Sequence, residues 1–261
     1  MDRLTLSRVV QRAAHTVQWL APRGSLATAE PLLFPPVCAY CHQDLPIGST
    51  SRLCTGCRGR LWYSDPICAT CGGPLASNAL DTKNCALCRT ERFAFDRAIT
   101  LGPYQDDIQD AVVRMKHAHE GYLARAIGEL LSVRLLEQVD TVPDALTWTP
   151  MHWRRRVRRG IHSARLLAES AALALCIEGL PLLKSVRTTR KQSLLTPPDR
   201  RRNVRDAFAV ASRFDLQGTR IGLVDDTLTT GATANELAKQ LKRAGAAEVL
   251  VLAVARATGG H

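Results

Sequence analysis

Two neighbouring acids and the loop behind them carry the clearest chemistry in the sequence. In GLVDDTLTTGATAN, residues 222–235, Asp225 and Asp226 follow an apolar run and precede a loop of small and hydroxyl-bearing residues. Backbone N–H groups of such a loop, together with the N-terminus of a helix behind it, bind phosphate. The acids repel a phosphate, so we expect them to accept hydrogen bonds from neutral hydroxyls beside it. The segment therefore predicts a site for a ribose 5-phosphate.

Other phosphate motifs do not match this loop, which contains neither the G-K-[ST] of a Walker loop nor G-x-G-x-x-G. The plainer alternative is a strand followed by an N-capped helix, with acids that cap it or face solvent. Adjacent side chains of a strand point to opposite faces, so both acids serve one pocket only where the strand has ended. We therefore expect the strand to end at the two acids and the loop to start there.

Cysteine spacing predicts two metal sites. Eight of the nine cysteines form C-x2-C pairs, namely Cys38 with Cys41, Cys54 with Cys57, Cys68 with Cys71, and Cys85 with Cys88. Two such pairs close a tetrahedral zinc site with Zn–S distances near ~2.3 Å, and four thiolates leave no position open for catalysis. We expect two structural zinc ions, most simply bound by the first two and the last two pairs. Nested or interleaved pairing stays open, and disulfides or redox pairs are the alternative.

From residue 93 onward, strand-like and helical patterns alternate. Strands are expected at 97–104, 145–150, 182–188, 207–210, 220–226 and 248–255, and helices at 106–119, 122–138, 163–178 and 231–245. Such alternation predicts an α/β fold with a parallel sheet covered on both faces, in which ligands bind beyond the carboxyl ends of the strands. Cys176, in an apolar helical stretch, is expected to be buried.

Charge is concentrated in one segment. Residues 152–205 hold 14 of the 35 basic residues and three acids, so they carry the whole net charge of +11. This favours a polyanionic partner, either a phosphorylated metabolite or a nucleic-acid backbone. No apolar run is long enough to span a bilayer and no secretory signal is recognisable, so we expect a cytoplasmic protein. Residues 3–20 predict a short amphipathic helix that docks on the body or contacts a membrane surface.

The acidic loop and the cysteine pairs resemble known families. LVDDTLTTGAT is similar to the phosphoribosyl-pyrophosphate (PRPP) motif of type I phosphoribosyltransferases, and four C-x2-C pairs ahead of such a domain resemble the ComF family. The resemblance covers roughly residues 32–257 and includes LLFPPVCAYC, YQDDIQDAVVRMKHAHE, TPMHWRRRVRRG and RTTRKQSLLTPPDRRRNVRDAF. It implies an N-terminal lead-in over 1–36, a double zinc ribbon over 37–92 and a phosphoribosyltransferase-like domain over 93–261.

The resemblance also implies residue roles. Asp225 and Asp226 would hold the ribose hydroxyls and act at the catalytic centre, with magnesium bridging the hydroxyls and pyrophosphate of PRPP. The 5-phosphate would bind to Thr229, Thr230, Gly231, Ala232 and Thr233. A mobile loop would bring Arg187, Arg190 and Lys191 to the leaving pyrophosphate. Where many ComF-like chains read R-G-F-N-Q-A, this one has RGIHSA, and His162 is expected to be a surface replacement.

Two classes of function follow. The first is an enzyme that transfers the phosphoribosyl group of PRPP to an unidentified acceptor, with a PRPP sensor without catalysis as a weaker variant. The second, implied by the ComF resemblance, is handling of single-stranded DNA during DNA uptake in natural transformation. In that case the DNA backbone would contact the basic run Arg154, Arg155, Arg156, Arg158 and Arg159. Trp148 and Trp153 flank this run and offer stacking surfaces.

Overall fold

A five-stranded parallel sheet lies at the centre of the chain from residue 97 onward. The computed structural model describes residues 4–5, 35–76, 85–151, 160–187 and 197–257. The sheet contains β2 (Arg97–Pro103), β3 (Ala145–Trp148), β4 (Glu178–Gly179), β8 (Arg220–Leu228) and β9 (Glu248–Arg256). Their spatial order is β2-β9-β8-β3-β4, and every neighbouring pair is parallel. This confirms the predicted α/β class.

Short strands pair outside this sheet. The strand β1 (Leu4–Thr5) runs parallel to β7 (Phe214–Asp215), and β5 (Leu183–Ser185) runs antiparallel to β6 (Phe208–Val210). The rest of residues 3–20, on which the amphipathic helix is predicted, lies outside the described residues. Within the described ranges, no helix combines the length and apolar character that crossing a membrane requires.

Helices cover both faces of the sheet. They are α1 (Thr55–Arg60), α2 (Ala86–Thr90), α3 (Asp106–Arg114), α4 (Gly121–Gln138), α5 (Ser163–Ala174), α6 (Pro197–Val204) and α7 (Ala232–Arg243), with a 3₁₀ turn at Ala118–Glu120. Val224 packs in the cluster formed with α3, α4 and α5, whereas its neighbour Leu223 packs in the cluster formed with α7. This alternation along β8 explains why its sequence is apolar at every position from Ile221 to Val224.

Two expectations about element ends are wrong. β8 does not stop at the acids, because its ladder with β9 continues to the pair of Leu228 with Arg256. Asp225 and Asp226 are thus strand residues. Cys176 is exposed, because α5 ends at Ala174 and the chain turns there, with Cys176 itself at a φ of 55°.

Both cysteine-rich segments dock on the sheet through backbone hydrogen bonds. The N–H of Tyr63, which follows α1, donates to the carbonyl of Leu101 in β2 at 2.9 Å. The N–H of Ala98, also in β2, donates to the carbonyl of Thr70 at 3.1 Å, and the Thr100 hydroxyl donates to the carbonyl of Gly72 at 2.8 Å. Each of the two cysteine-rich segments is therefore attached to the same edge strand.

Close packing of α4 against α5 predicts a site of high sensitivity. A Cβ atom on Gly128 of α4 would lie 2.5 Å from the carbonyl oxygen of Leu167 in α5. We expect Gly128→Ala to lower the free energy of unfolding by roughly 1–3 kcal/mol, because the helices must separate. Urea denaturation measures this change. The matched control is Gly56→Ala in α1, where a Cβ meets nothing within 4 Å. It should be neutral or stabilising by up to about 1 kcal/mol, and equal effects of the two variants would contradict this packing.

Candidate functional site

The acidic pair lies at the carboxyl end of β8, and its two carboxylates have different partners. The hydroxyl of Ser163, the first residue of α5, donates to Oδ1 of Asp226 at 2.8 Å. The backbone N–H of Asp226 donates to Oδ1 of Asp225, also at 2.8 Å. Because successive strand residues face opposite sides, Asp226 lies on the α5 side of the sheet and Asp225 on the other. The acids are therefore not equivalent.

Asp225 is held in an environment that disfavours its charge. Burial and the neighbouring charge of Asp226 raise the pKa of Asp225 to about 7. The Asp226 N–H, the Thr149 hydroxyl and the ammonium of Lys116 oppose this rise but do not cancel it. A carboxyl group with a pKa near neutrality is typical of functional sites, since a bound cation or hydroxyl donor switches it to the charged form.

Three polar residues of this site were not predicted from the sequence. Ser163, at the start of α5, contacts Asp226, and Thr149, just after β3, contacts Asp225. Lys116, which follows α3, lowers the pKa of Asp225 through its charge. Ser163 belongs to the RGIHSA segment that departs from the family pattern, which was the one available signal. His162 is half-buried and caps α5, with Nδ1 accepting from the N–H of Arg165 at 3.4 Å.

A buried hydroxyl next to the acids has no partner in the described part of the chain. Oγ1 of Thr227 is buried and makes no hydrogen bond there. Thr227 follows the two acids directly in β8. A buried hydroxyl without a partner costs free energy that a ligand recovers by bonding to it. Together with two carboxylates, it offers the oxygen donors that suit a hydroxylated ligand with magnesium.

The loop after β8 has the backbone shape of an anion site. Gly231 adopts the left-handed conformation at a φ of 75° and precedes α7, which begins at Ala232 without a side-chain cap from Gly231. The N–H of Ala232 donates to the Thr230 hydroxyl at 3.3 Å. A Cβ atom on Gly231 would lie 3.0 Å from the ring of Phe93. Both the φ angle and the Phe93 ring therefore require glycine at this position.

Cations surround the same loop. A cavity of about 130 Å³ is lined by Thr230, Gly231 and Ala232 and by the side chains of Arg92, Arg205 and Lys239. Glu91 and Glu236 also line it, so the cations exceed the acids by one. The positive end of α7 adds to this balance. An anion is thus favoured beside the loop.

The basic loops predicted to bind pyrophosphate or DNA are described only in part. Arg190, Lys191, Arg154, Arg155, Arg156, Arg158 and Arg159 lie outside the described residues. Arg187 is exposed, and its Nη2 donates to the carbonyls of Asn203 at 3.1 Å and Arg205 at 2.6 Å. The structure therefore places Arg187 against the end of α6, and its role toward pyrophosphate stays a prediction.

The first cysteine centre brings together Cys38, Cys41, Cys54 and Cys57, whose sulfurs lie within 4.8 Å of one another. Burial raises the pKa of Cys38, but hydrogen bonds from the N–H groups of Cys41, Cys54 and Tyr40 outweigh it and lower the pKa to about 6. Nη2 of Arg60 donates to Sγ of Cys57 at 3.1 Å. Burial nevertheless raises the pKa of Cys57 to about 12, and the Arg60 hydrogen bond opposes this rise only in part. The hydrogen bonds to Cys38 thus favour the thiolate form that binds metal, and Cys57 relies on the metal itself for deprotonation.

The second centre brings together Cys68, Cys71, Cys85 and Cys88 with the same spacing. Its sulfurs are 3.8 Å apart between Cys68 and Cys88 and 3.4 Å between Cys71 and Cys85. A zinc tetrahedron with bonds near 2.3 Å has edges of about 3.8 Å, so the sulfurs need little movement to bind zinc. The structure thus shows the sequential pairing, and both four-cysteine sites suit zinc.

Comparison with known proteins assigns the family. Residues 30–90 match the model of the double zinc ribbon domain. Competence protein F of Haemophilus influenzae is 31% identical over 226 residues, which cover 84% of this chain and 96% of that protein. This chain belongs to the ComF family. DNA utilization protein YhgH of Escherichia coli K12 is 28% identical over 230 residues, covering 86% of this chain and 99% of YhgH.

A solved structure is similar to part of this ComF chain. It is glutamine PRPP amidotransferase from B. subtilis complexed with ADP and GMP, at 24% identity and a TM-score of 0.35. The match covers 50% of this chain and 25% of the amidotransferase. The parallel sheet and the cysteine centres described above are the features of this chain that agree with the predicted fold class.

The raised pKa of Asp225 predicts a pH-dependent stability. An unfolded aspartate has a pKa near 3.9, so between about pH 4 and pH 7 the native state binds more protons than the unfolded state, and stability falls as pH rises. We expect Asp225→Asn to remove this part of the pH dependence. The free energy of unfolding of the variant, minus that of the unsubstituted chain, should therefore be more favourable to the variant at pH 8 than at pH 5. Urea denaturation across this range measures it. Asp140→Asn, at an exposed position, is the control and should run parallel to the unsubstituted chain. If the stability difference between Asp225→Asn and the unsubstituted chain is the same at pH 5 and pH 8, the pKa of Asp225 is not raised.

Proposed function

We propose that the carboxyl end of β8 binds a ribose 5-phosphate, in the form of PRPP with magnesium. The observation that carries this proposal is the sequence of groups along β8 and its loop. A half-buried carboxylate with a raised pKa, at Asp225, is followed by a buried hydroxyl that lacks a partner in the described residues, at Thr227, and then by the left-handed Gly231 before α7. The groups that would bond to the ribose hydroxyls thus come just before the loop that would bind the phosphate.

Each group has a distinct role in this proposal. The N–H groups of residues 229–233 and the start of α7 bind the 5-phosphate. The acids face opposite sides of β8, so the ribose lies beyond the carboxyl end of the sheet rather than on one face, and its hydroxyls donate to Asp226 from the α5 side and to Asp225 from the other side. Ser163 fixes one oxygen of Asp226, which leaves the other for the ligand. Magnesium, when bound, would be coordinated by pyrophosphate oxygens and would offset part of their negative charge.

We further propose a phosphoribosyl transfer with an acceptor of unknown identity. In this reaction an acceptor atom bonds to C1 of the ribose, while the bond from C1 to the pyrophosphate oxygen breaks and both electrons leave with pyrophosphate. The protein contributes position and charge more than a nucleophile. The carboxylates would stabilise the positive charge that develops on the sugar, and Lys116 favours the ionised form of Asp225. A PRPP sensor would bind the same ligand without releasing pyrophosphate.

Titration calorimetry with PRPP tests the binding site. We expect binding that requires magnesium, and a loss of at least about tenfold in affinity for Asp226→Asn, since one carboxylate-to-hydroxyl bond is worth roughly 1.5–3 kcal/mol. Asp140→Asn is the matched control and should bind normally. Pyrophosphate release over candidate acceptors then separates transferase from sensor. Equal PRPP affinity of Asp226→Asn and the unsubstituted chain would overturn the proposed site.

A second proposed function is binding of single-stranded DNA. It is favoured by the names of the relatives, competence protein F and DNA utilization protein, and by the net charge of +11 in residues 152–205. The ring of Trp148 is covered by the guanidinium of Arg165, 5.8 Å from its centroid, so base stacking there requires that Arg165 move. Contacts between the basic run and DNA phosphates would therefore contribute most of the binding free energy, and such binding weakens as the salt concentration rises.

Salt dependence tests this second function. Replacing Arg154, Arg155 and Arg156 by Gln should reduce the slope of log K against log salt by about 2, because each phosphate contact on a single strand contributes roughly 0.7. Fluorescence anisotropy with a labelled oligonucleotide measures the slope. The control replaces the exposed residues Arg58, Lys184 and Arg243, which lie outside the run. If both triple variants change the slope equally, the basic run is not the DNA surface.

A further inference from the structure

Arg256 is a buried cation at the end of strand β9. The residue is 1% exposed, and neither Nε nor Nη1 of its side chain has a hydrogen-bond partner among the described residues. A guanidinium stays charged in a protein interior, and a buried charge without a counter-charge is strongly destabilising. The position therefore requires a negative group nearby.

The second cysteine centre supplies that charge. Burial lowers the pKa of Arg256, and the thiolates of Cys71, Cys88, Cys85 and Cys68 raise it again. Four thiolates around one Zn²⁺ carry a formal charge of −2, which a guanidinium partly neutralises. The cation without hydrogen-bond partners and the excess charge of the metal centre thus complement each other.

The first centre offers a comparison. Its cation is Arg60, which donates to Sγ of Cys57 at 3.1 Å but has a side chain that is 51% exposed. Water screens that interaction, so its contribution is small. Arg256 is shielded from water, and its interaction with the second centre is correspondingly strong. The two centres are therefore built alike but differ in the burial of their arginine.

Arg256 also adjoins the strand that carries the acidic pair. It lies opposite Leu228 in the ladder between β8 and β9, and the N–H of Ala257 donates to the carbonyl of Leu228 at 2.8 Å. Phe93 packs against the second centre on one side and limits the space at Gly231 on the other. Phe93 thus connects the second centre to the Gly231 end of the loop after β8, and Arg256 lies at the Leu228 end.

We propose that Arg256 is the charge partner of the zinc-loaded second centre, and that this pair holds the end of β8 and its loop in position. The charge pairing stands on the burial of Arg256 and on its two buried N–H donors that lack a partner among the described residues, and the electrostatic influence of the four cysteines supports it. The effect on the loop rests on the proposed PRPP function. Arg256 is in this account a positioning residue that acts through the metal centre and the strand.

Zinc affinity tests the pairing. In a chelator competition on the full chain, Arg256→Met should weaken one of the two zinc sites by roughly 10–100-fold, the usual cost of losing a group that supports the ligands, and leave the other unchanged. Arg256→Lys, which keeps the charge, should retain most of the affinity. Arg60→Met is the matched control for the first centre and should not affect the second. Two zinc sites of unchanged affinity in Arg256→Met would overturn the proposal.

A double-mutant cycle gives a second test, in which the effect of Arg256→Met on stability should change sign when the second centre is removed. Replacing both Cys85 and Cys88 by Ser removes the second centre and leaves Arg256 without its counter-charge. In that background, Arg256→Met should raise the midpoint of thermal unfolding, whereas in the zinc-loaded parent it should lower it. An Arg256→Met chain that folds only when Cys85 and Cys88 are also replaced supports the pairing in the same way. An equal loss in both backgrounds would overturn it.

PRPP calorimetry on the folded Arg256→Met chain separates the two parts of the proposal. Weaker PRPP binding than in the unsubstituted chain supports the effect on the loop, and unchanged binding overturns that effect alone. If the unsubstituted chain does not bind PRPP, the proposed function fails. The zinc competition and the thermal cycle still decide whether Arg256 pairs with the second centre.

Discussion

The parallel register of β9, β8 and β3 is the constraint on which the rest of the structure depends. Because these strands run the same way, their carboxyl ends meet at one edge, and the segments that follow them converge there. The hydrogen bonds of the ladder carry β8 past both acids to Leu228. They therefore hold the acidic pair rigidly, while only the loop from Thr229 to Gly231 is left to shape itself around a ligand.

The cysteine centres pack beside this sheet, against its edge strand β2. Their segments contain few large apolar residues, so metal coordination must supply stability that a small core cannot. The segments are not independent of the body, however. Leu61 and Tyr40 are buried in the same cluster as the helices of the sheet, and the Tyr40 hydroxyl donates to Asp107 of α3 at 2.7 Å. A loss of metal is therefore expected to act on the body as well as on the ribbons.

Local patterns were readable from the sequence, and long-range contacts were not. The C-x2-C spacing and the strand–turn–helix signal around Gly231 depend on neighbours in the chain, and the structure agrees with both. Ser163 contacts Asp226 across 63 residues, and Arg256 lies beside thiolates more than 160 residues away; no periodicity reports such pairs. The end of β8 was misjudged because a polar pair usually closes a strand, whereas here pairing with β9 overrides that tendency. Cys176 was misjudged because apolar neighbours do not show where a helix ends.

A crystal structure of the full chain with PRPP and magnesium tests the central claim most directly. The account predicts the 5-phosphate within hydrogen-bond distance of the N–H groups of residues 229–233, and the ribose hydroxyls at Asp225 and Asp226 beside Thr227. A ligand bound elsewhere, or a phosphate placed against the acids with the loop empty, would contradict it.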